Sequence, residues 1–192
     1  MRSPLALIGS IRWRLLAASL VGAGILHICV TLAAPYLSTA SAYGRLAAVL
    51  PLNVMRVLPP IGADNQPLPF MSPDSRYAMC SFDTRAGPVL LKARLPDAGW
   101  SIALYAESGA NLYVAVGSPE ARSDLKVLLV PSDDRFMGLT PEAGGIANPT
   151  LGAQQIAARR GVIVIRAPDR GFAYAAEIER ELSTASCAAR PY

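Results

Sequence analysis

Histidine is almost absent from this chain. The one imidazole, His27, lies within an uncharged run in RWRLLAASLVGAGILHICVTLAAPYL, which opens at Arg12. If that run sits in a membrane, the rest of the chain holds no histidine. A Ser-His-Asp or Cys-His site built from this chain alone is then excluded, as is a metal site that uses imidazole. Lysine is scarce too, with Lys92 and Lys126 standing against 16 arginines. Acid is missing from the start, since no Asp or Glu precedes Asp64. The net charge of +4 therefore comes mainly from Arg2, Arg12 and Arg14, and after residue 37 fifteen cations face 14 acids. A near-neutral body without a basic run lacks the electrostatic term behind nucleic-acid binding, so no nucleic-acid partner is expected. Glycine-rich phosphate cradles are also lacking: Gly144-Gly145 stands alone in loop-like sequence.

What the chain does hold is a long apolar stretch. From Leu15 to Ala34, 20 residues carry no charge. At about 1.5 Å per residue they reach about 30 Å, the thickness of a bilayer's hydrocarbon core, where a helix satisfies its own backbone groups. Trp13 and Tyr36 flank the stretch as interfacial aromatics do, and Pro35 is expected to end it. Residues 1–37 thus read as a cytoplasmic N-terminus and transmembrane anchor. A cleaved signal peptide is the rival reading, with Ala40-Ser41-Ala42 as cleavage site before Tyr43. The stretch is longer than the usual h-region of about 7–15 residues, which favours the anchor. In both readings the three arginines stay cytoplasmic and everything after Ser38 is exported. The expected location is the inner (plasma) membrane, with the C-terminal domain periplasmic and the lipid bilayer as a partner.

Gly24, His27 and Thr31 fall at i, i+3 and i+7 on one face of that helix, and Leu20 extends the face. Small and polar residues in one stripe let another helix approach and hydrogen-bond. The face is a candidate contact with a membrane-protein partner or a second copy of the chain. The alternative is a neutral His27 bonded to a backbone carbonyl or to water. A proton relay needs further ionisable groups in the span, and the span has none.

Residues 38–76 read as a short helix and a proline-rich linker. Ser41 is placed to cap a helix that bears Tyr43, Leu46 and Leu50 and stops at Pro51. LPPIGADNQPLPFMSPDSR then follows as an extended linker or a stitched surface loop. Residues 77–192 read as an exported β-rich domain. YAMCSFD alternates Ala78, Cys80 and Phe82 against Tyr77, Met79 and Ser81. GPVLLKARL alternates Val89, Leu91, Ala93 and Leu95 against Leu90, Lys92 and Arg94. WSIALYAESGANLYVAVG predicts a hairpin around Ser108-Gly109, with Ile102 and Leu104 on one arm and Leu112, Val114 and Val116 on the other. LKVLLVP and RGVIVIRAP are strands apolar enough for both faces to be covered. Asn148, Pro149, Arg159-Arg160 and Gly161 carry the start and stop signals of a helix. DRGFAYAAEIERELS predicts a final helix capped by Asp169, with Ala175, Ile178 and Leu182 buried, Phe172 beside them, and Glu177, Glu179 and Glu181 on a solvated face. About six strands and two late helices give the expected fold class: α+β, β-rich, an N-terminal transmembrane helix followed by an antiparallel sheet or small sandwich with flanking helices.

Of three cysteines, Cys29 lies in the apolar helix, while Cys80 and Cys187 lie in the exported part. In an oxidising compartment two such thiols commonly pair. A Cys80–Cys187 disulfide is expected, closing a loop of about a hundred residues worth on the order of 4–5 kcal/mol in the chain-entropy picture. Two separate thiols are the alternative. No histidine stands near to lower a thiol's pKa for catalysis. Asp133-Asp134 is the one adjacent acid pair; it suits a turn after a strand better than a hard-cation site, so no metal site is expected. Trp100, Tyr105 and Tyr113 surround the hairpin and are weak candidates for sugar or peptide binding, against the ordinary role of filling a core.

Several stretches together resemble a known family. PLPFMSPDSRYAMCSFD, then GPVLLKA, then WSIALYAESGANLYVAV, after an anchor containing LHI, are similar to the short membrane-anchored proteobacterial members of the domain of unknown function 1254 family. The resemblance covers the anchor and residues of about 69–117. It implies an exported β-rich domain at a membrane and carries no catalytic residues. The expected function is that of a periplasmic accessory or interaction module on a single-pass anchor, without catalysis or cofactors. The alternative is a periplasmic small-ligand-binding domain or a His-independent enzyme using carboxylates, arginines or backbone groups.

Overall fold

A computed structural model of the chain describes residues 13–37, 41–131 and 153–190. The chain divides into two units, Met1–Ser41 and Ala42–Tyr192. The first is helix α1 (Trp13–Leu37). Its stretch Trp13–Ala34, 22 residues, is long and apolar enough to cross a membrane, and none of it is buried. Leu20, Val21, Ile25, Leu26, Ile28 and Leu32 all stand exposed, so its apolar surface runs right round the axis. That is the pattern of a helix solvated by lipid, as a membrane anchor or signal sequence is. The helix does not stop at Pro35 but runs through it to Leu37. A proline in the last turn forfeits a single N–H donor.

The second unit runs α2 (Ala42–Val49), β1 (Arg56–Val57), β2 (Ser75–Asp83), β3 (Val89–Leu95), β4 (Ser101–Ala106), β5 (Asn111–Val116), β6 (Ser123–Val130), β7 (Gln154–Ala157), β8 (Arg160–Pro168), α3 (Phe172–Ser183) and β9 (Ser186–Ala189). The fold is α+β and β-rich, and its strands form a sandwich. One sheet has the order β1-β2-β8-β4-β5, antiparallel throughout. The other has the order β7-β6-β3-β9, antiparallel except for the parallel pair β6–β7. Three strands exceed the six read from the sequence: β1, β7 and β9 have only 2 to 4 residues and lie at sheet edges, too short to show a period.

The core lies between the sheets. Ala78, Cys80 and Phe82 of β2, Ile102 and Leu104 of β4, and Ile163 and Ile165 of β8 meet Val89, Leu91 and Leu95 of β3 and Val127 and Leu129 of β6. The alternation in β2 and β3 thus points the expected set inward. Ile178 and Leu182 of α3 join the same cluster. Cys80 of β2 is bonded to Cys187 of β9, with Cα atoms 6.5 Å apart, so the expected disulfide joins one sheet to the other.

Strand β2 is buried on its other face too. Tyr77 and Met79, with Val162 of β8, pack beneath Leu46 and Leu50 from α2 and its end and Leu58 beyond it; Tyr43, Ile61, Leu68 and Met71 complete the layer. The short helix and proline-rich stretch are thus stitched over half a sheet. Asn65 braces the loop against itself, accepting from the Gly62 N–H and donating to the Pro60 carbonyl at 2.7 Å.

Three local expectations are corrected, and the hairpin's facing is settled. Residues 154–157, expected in a helix from Asn148 to Arg160, form β7 against β6; Asn148 and Pro149 lie outside the described residues. Ala158-Arg159 is instead the corner where the chain passes from one sheet to the other, pinned by the Thr84 hydroxyl donating to the Ala158 carbonyl at 2.7 Å and the Thr84 N–H to the Arg159 carbonyl at 2.9 Å. Pairing along an existing strand overrides the helix preference of Gln and Ala. Gly161, read as a helix stop, is a close approach: a Cβ there would meet the Tyr105 carbonyl oxygen at 2.0 Å and the Phe82 ring at 2.8 Å. In the hairpin, Ile102 faces Ala115 and Leu104 faces Tyr113, so Tyr113 and Ala115 point inward and Val114 and Val116 outward. A register shift between Leu104 and Tyr105 decouples the strand phase from the turn. Finally, Asp169 does not cap α3. The N-cap is Gly171 without a side-chain cap bond, and Phe172 is 98% exposed.

Candidate functional site

The three aromatic candidates separate. Trp100 is core, 4% exposed, and its carbonyl accepts from the Gly117 N–H at 2.8 Å. Tyr113 packs on the core from the inner face of β5. Tyr105 alone faces outward, 37% exposed. No shared aromatic platform forms. On α1, Gly24, His27 and Thr31 are all exposed. The Thr31 hydroxyl donates to the His27 carbonyl at 2.7 Å, an i to i−4 bond that satisfies it within its own helix. Asp133-Asp134 lies outside the described residues, as does Gly144-Gly145.

What the register assembles is an outer strip on the five-stranded sheet. Ser101 is paired with Val116 and Ala103 with Val114, while Ala103 is paired with Val164 on the other side. The layer from α2 covers β2 and Val162 and leaves the β5 side open. Val114 is 53% and Val116 70% exposed. Strand β5 also ends the sheet, so half its backbone groups point to solvent, an arrangement open to strand addition. The hairpin sequence sets Leu112, Val114 and Val116 on one arm without saying which face each takes. The signal that finds the strip is the mating arm: Ile102 and Leu104 demand inward partners at Tyr113 and Ala115.

Charged groups gather at both ends of β2. At one end the Asp83 carboxylate accepts from the Arg85 N–H at 2.9 Å and the Arg85 Nε at 2.7 Å, and Asn53 and Asp83 exchange two further bonds. Burial pushes the Asp83 carboxyl up; the hydrogen bonds from Arg85, with the Arg85 and Arg160 charges, outweigh it and hold the pKa below the ordinary value. Arg160 pairs with Glu107 at 2.8 Å beside a groove of about 520 Å³ lined by Glu107, Ser108, Arg159 and Arg160. At the other end Arg76 pairs with Asp169 at 2.9 Å. The hydrogen bonds from Arg76 and from the Gly171 N–H lower the Asp169 pKa. These pairs answer one another and fasten corners. Among the described residues, no group of three or more His, Cys, Asp or Glu is placed to hold a metal ion.

No family model matches the chain, and no curated protein matches it. Among solved structures the chain is similar to the VPA0106 protein from Vibrio parahaemolyticus, with a TM-score of 0.55 at 13% sequence identity. The match covers 77% of this chain and 34% of that one. At such identity the likeness concerns the fold, and function is argued from the site. The sandwich described above is therefore a fold shared with about a third of the Vibrio chain.

Proposed function

We propose that the chain is a single-pass inner-membrane protein whose sandwich lies in the periplasm and serves as a non-catalytic accessory or interaction module. The observation that carries this reading is the joining, in one chain, of an unburied apolar helix to a domain whose two sheets are bonded by a disulfide. The helix needs lipid, and the disulfide belongs to an oxidising compartment. Arg2, Arg12 and Arg14 before the helix, with no acid until Asp64, orient the N-terminus toward the cytoplasm. The resemblance to the domain of unknown function 1254 family fits this placement. For interaction, the Gly24–His27–Thr31 face meets a partner helix in the membrane, and the strip of Tyr105, Val114 and Val116 offers a sheet edge to a protein outside it. A sandwich without histidine in its sequence supports the non-catalytic reading.

The test is topology in cells. A C-terminal alkaline phosphatase fusion is expected to be active, a C-terminal green fluorescent protein fusion dark, and the full-length chain to resist a carbonate wash of the membranes. A fluorescent C-terminus, or a full-length chain released by the wash, refutes the proposal.

A further inference from the structure

We propose that the outer face of the four-stranded sheet binds a phosphoryl group between Lys92 and Lys126. These are the only two lysines among 18 Lys and Arg, and the pairing of β3 with β6 sets them directly opposite each other. Antiparallel partners share a face with Cβ atoms about 4.5–5.5 Å apart, and like charges so placed repel. Ser186 of β9 stands opposite Lys92 on its other side. A row Ser186–Lys92–Lys126 therefore crosses three strands on one face, and all three residues are exposed.

The neighbouring rows do not neutralise it. On one side Leu90 and Leu128 are opposite each other and buried. On the other, Asp124 is taken by Arg94 at 3.0 Å. Glu181 faces Arg94 at 4.0 Å and Arg122 at 3.8 Å. The nearby acids are thus committed to arginines, and neither lysine has an acid partner among the described residues. A groove of about 340 Å³ passes between them, lined by Lys92, Arg94, Asp124, Lys126 and Thr184. Two compact ammonium charges lining one groove suit a tetrahedral anion; the Thr184 hydroxyl in the same lining donates to the Glu181 carbonyl at 2.7 Å. A lysine ammonium meets a phosphate as a point charge from any direction, and the guanidinium that shares the groove, Arg94, is held by Asp124 at 3.0 Å. The phosphoryl group belongs to a phospholipid headgroup or to a soluble phosphate ester. The row is independent of the chain's topology, so its failure and that of the proposed placement are separate results.

The test uses the full chain in nonionic detergent. One arm titrates inorganic phosphate against chloride at constant ionic strength; the other dopes the micelles with phosphatidylglycerol. Because the chain has only two lysines, acetylation by an amine-reactive ester, read by mass spectrometry, reports on the row without any substitution. Both lysines are expected to be acetylated at least threefold more slowly in one arm. Melting temperature should rise in the same arm, with at least tenfold weaker binding in K92Q/K126Q and no change in R180Q. Protection by inorganic phosphate assigns a soluble ester, and protection by phosphatidylglycerol alone assigns a headgroup. Equal acetylation rates in all conditions, or equal binding by K92Q/K126Q and the unaltered chain, overturn the proposal.

Discussion

Strands β2 and β5 belong to one sheet and are held very differently. β2 is central, paired along nine residues with β8, bonded through Cys80 to the opposite sheet and roofed by the layer from α2. β5 is an edge, paired with β4 alone, with two valines facing outward. Both read as apolar strands, so hydrophobicity does not decide which face is covered. Connectivity does: the segment from Ala42 to Asp74 passes over β2 and stops short of β5. The structural strand and the strand proposed for interaction differ in what lies on top of them.

Removing the holds on β2 one at a time should sharpen that contrast. The largest effect is expected from C80A/C187A, which frees a bridge of sequence separation 107. The chain-entropy picture puts its loss at about 5 kcal/mol, and urea unfolding of the oxidised chain against the variant measures it. A loss below about 1 kcal/mol would show that the two sheets hold together without the bond.

The roof comes next. L46A removes a buried side chain over Tyr77 and Met79 and should cost about 3 kcal/mol. V116A on β5, already mostly exposed, should stay within about 0.5 kcal/mol. Equal costs for the two, by the same urea midpoints, would mean that β5 is covered in solution and that its strip is not free for a partner.

The inner faces of β2 and β3 were legible because alternation with period two survives wherever one face meets the core. The apolar helix and the cysteine pairing were legible for similarly local reasons: uninterrupted length, and two thiols in one compartment. What escaped was decided by distant pairing. Gln154–Ala157 carries helix-forming residues and became a strand because β6 offered an edge. Val114 and Val116 took the outward phase because Ile102 and Leu104 across the hairpin claimed the inward one. Lys92 and Lys126 each looked like an ordinary outward residue until the pairing of β3 with β6 placed them opposite each other. The aromatic candidates do not share a face, because the sheet sends Tyr105 and Tyr113 to opposite sides.

The smallest expected effect concerns the ionic end of β2. Asp83 is held below its ordinary pKa, so the unfolded chain binds its proton at a higher pH than the folded one. Its contribution to stability is then complete above the unfolded carboxylate value of about 3.9 and is lost as pH falls through the folded one. Asp169, also lowered by Arg76 and the Gly171 N–H, adds to the same acid slope from the opposite end of the strand. Stability measured by urea midpoints should therefore be flat from about pH 7 to 5 and fall below about pH 4. D83N should start less stable at pH 7, because the Arg85 guanidinium loses its charged acceptor, and should lose less between pH 4 and 2.5. An unchanged acid slope in D83N would place the acid-sensitive hold on β2 at the Asp169 end, with the Asp83–Arg85 pair contributing only geometry to the turn that leads into β3.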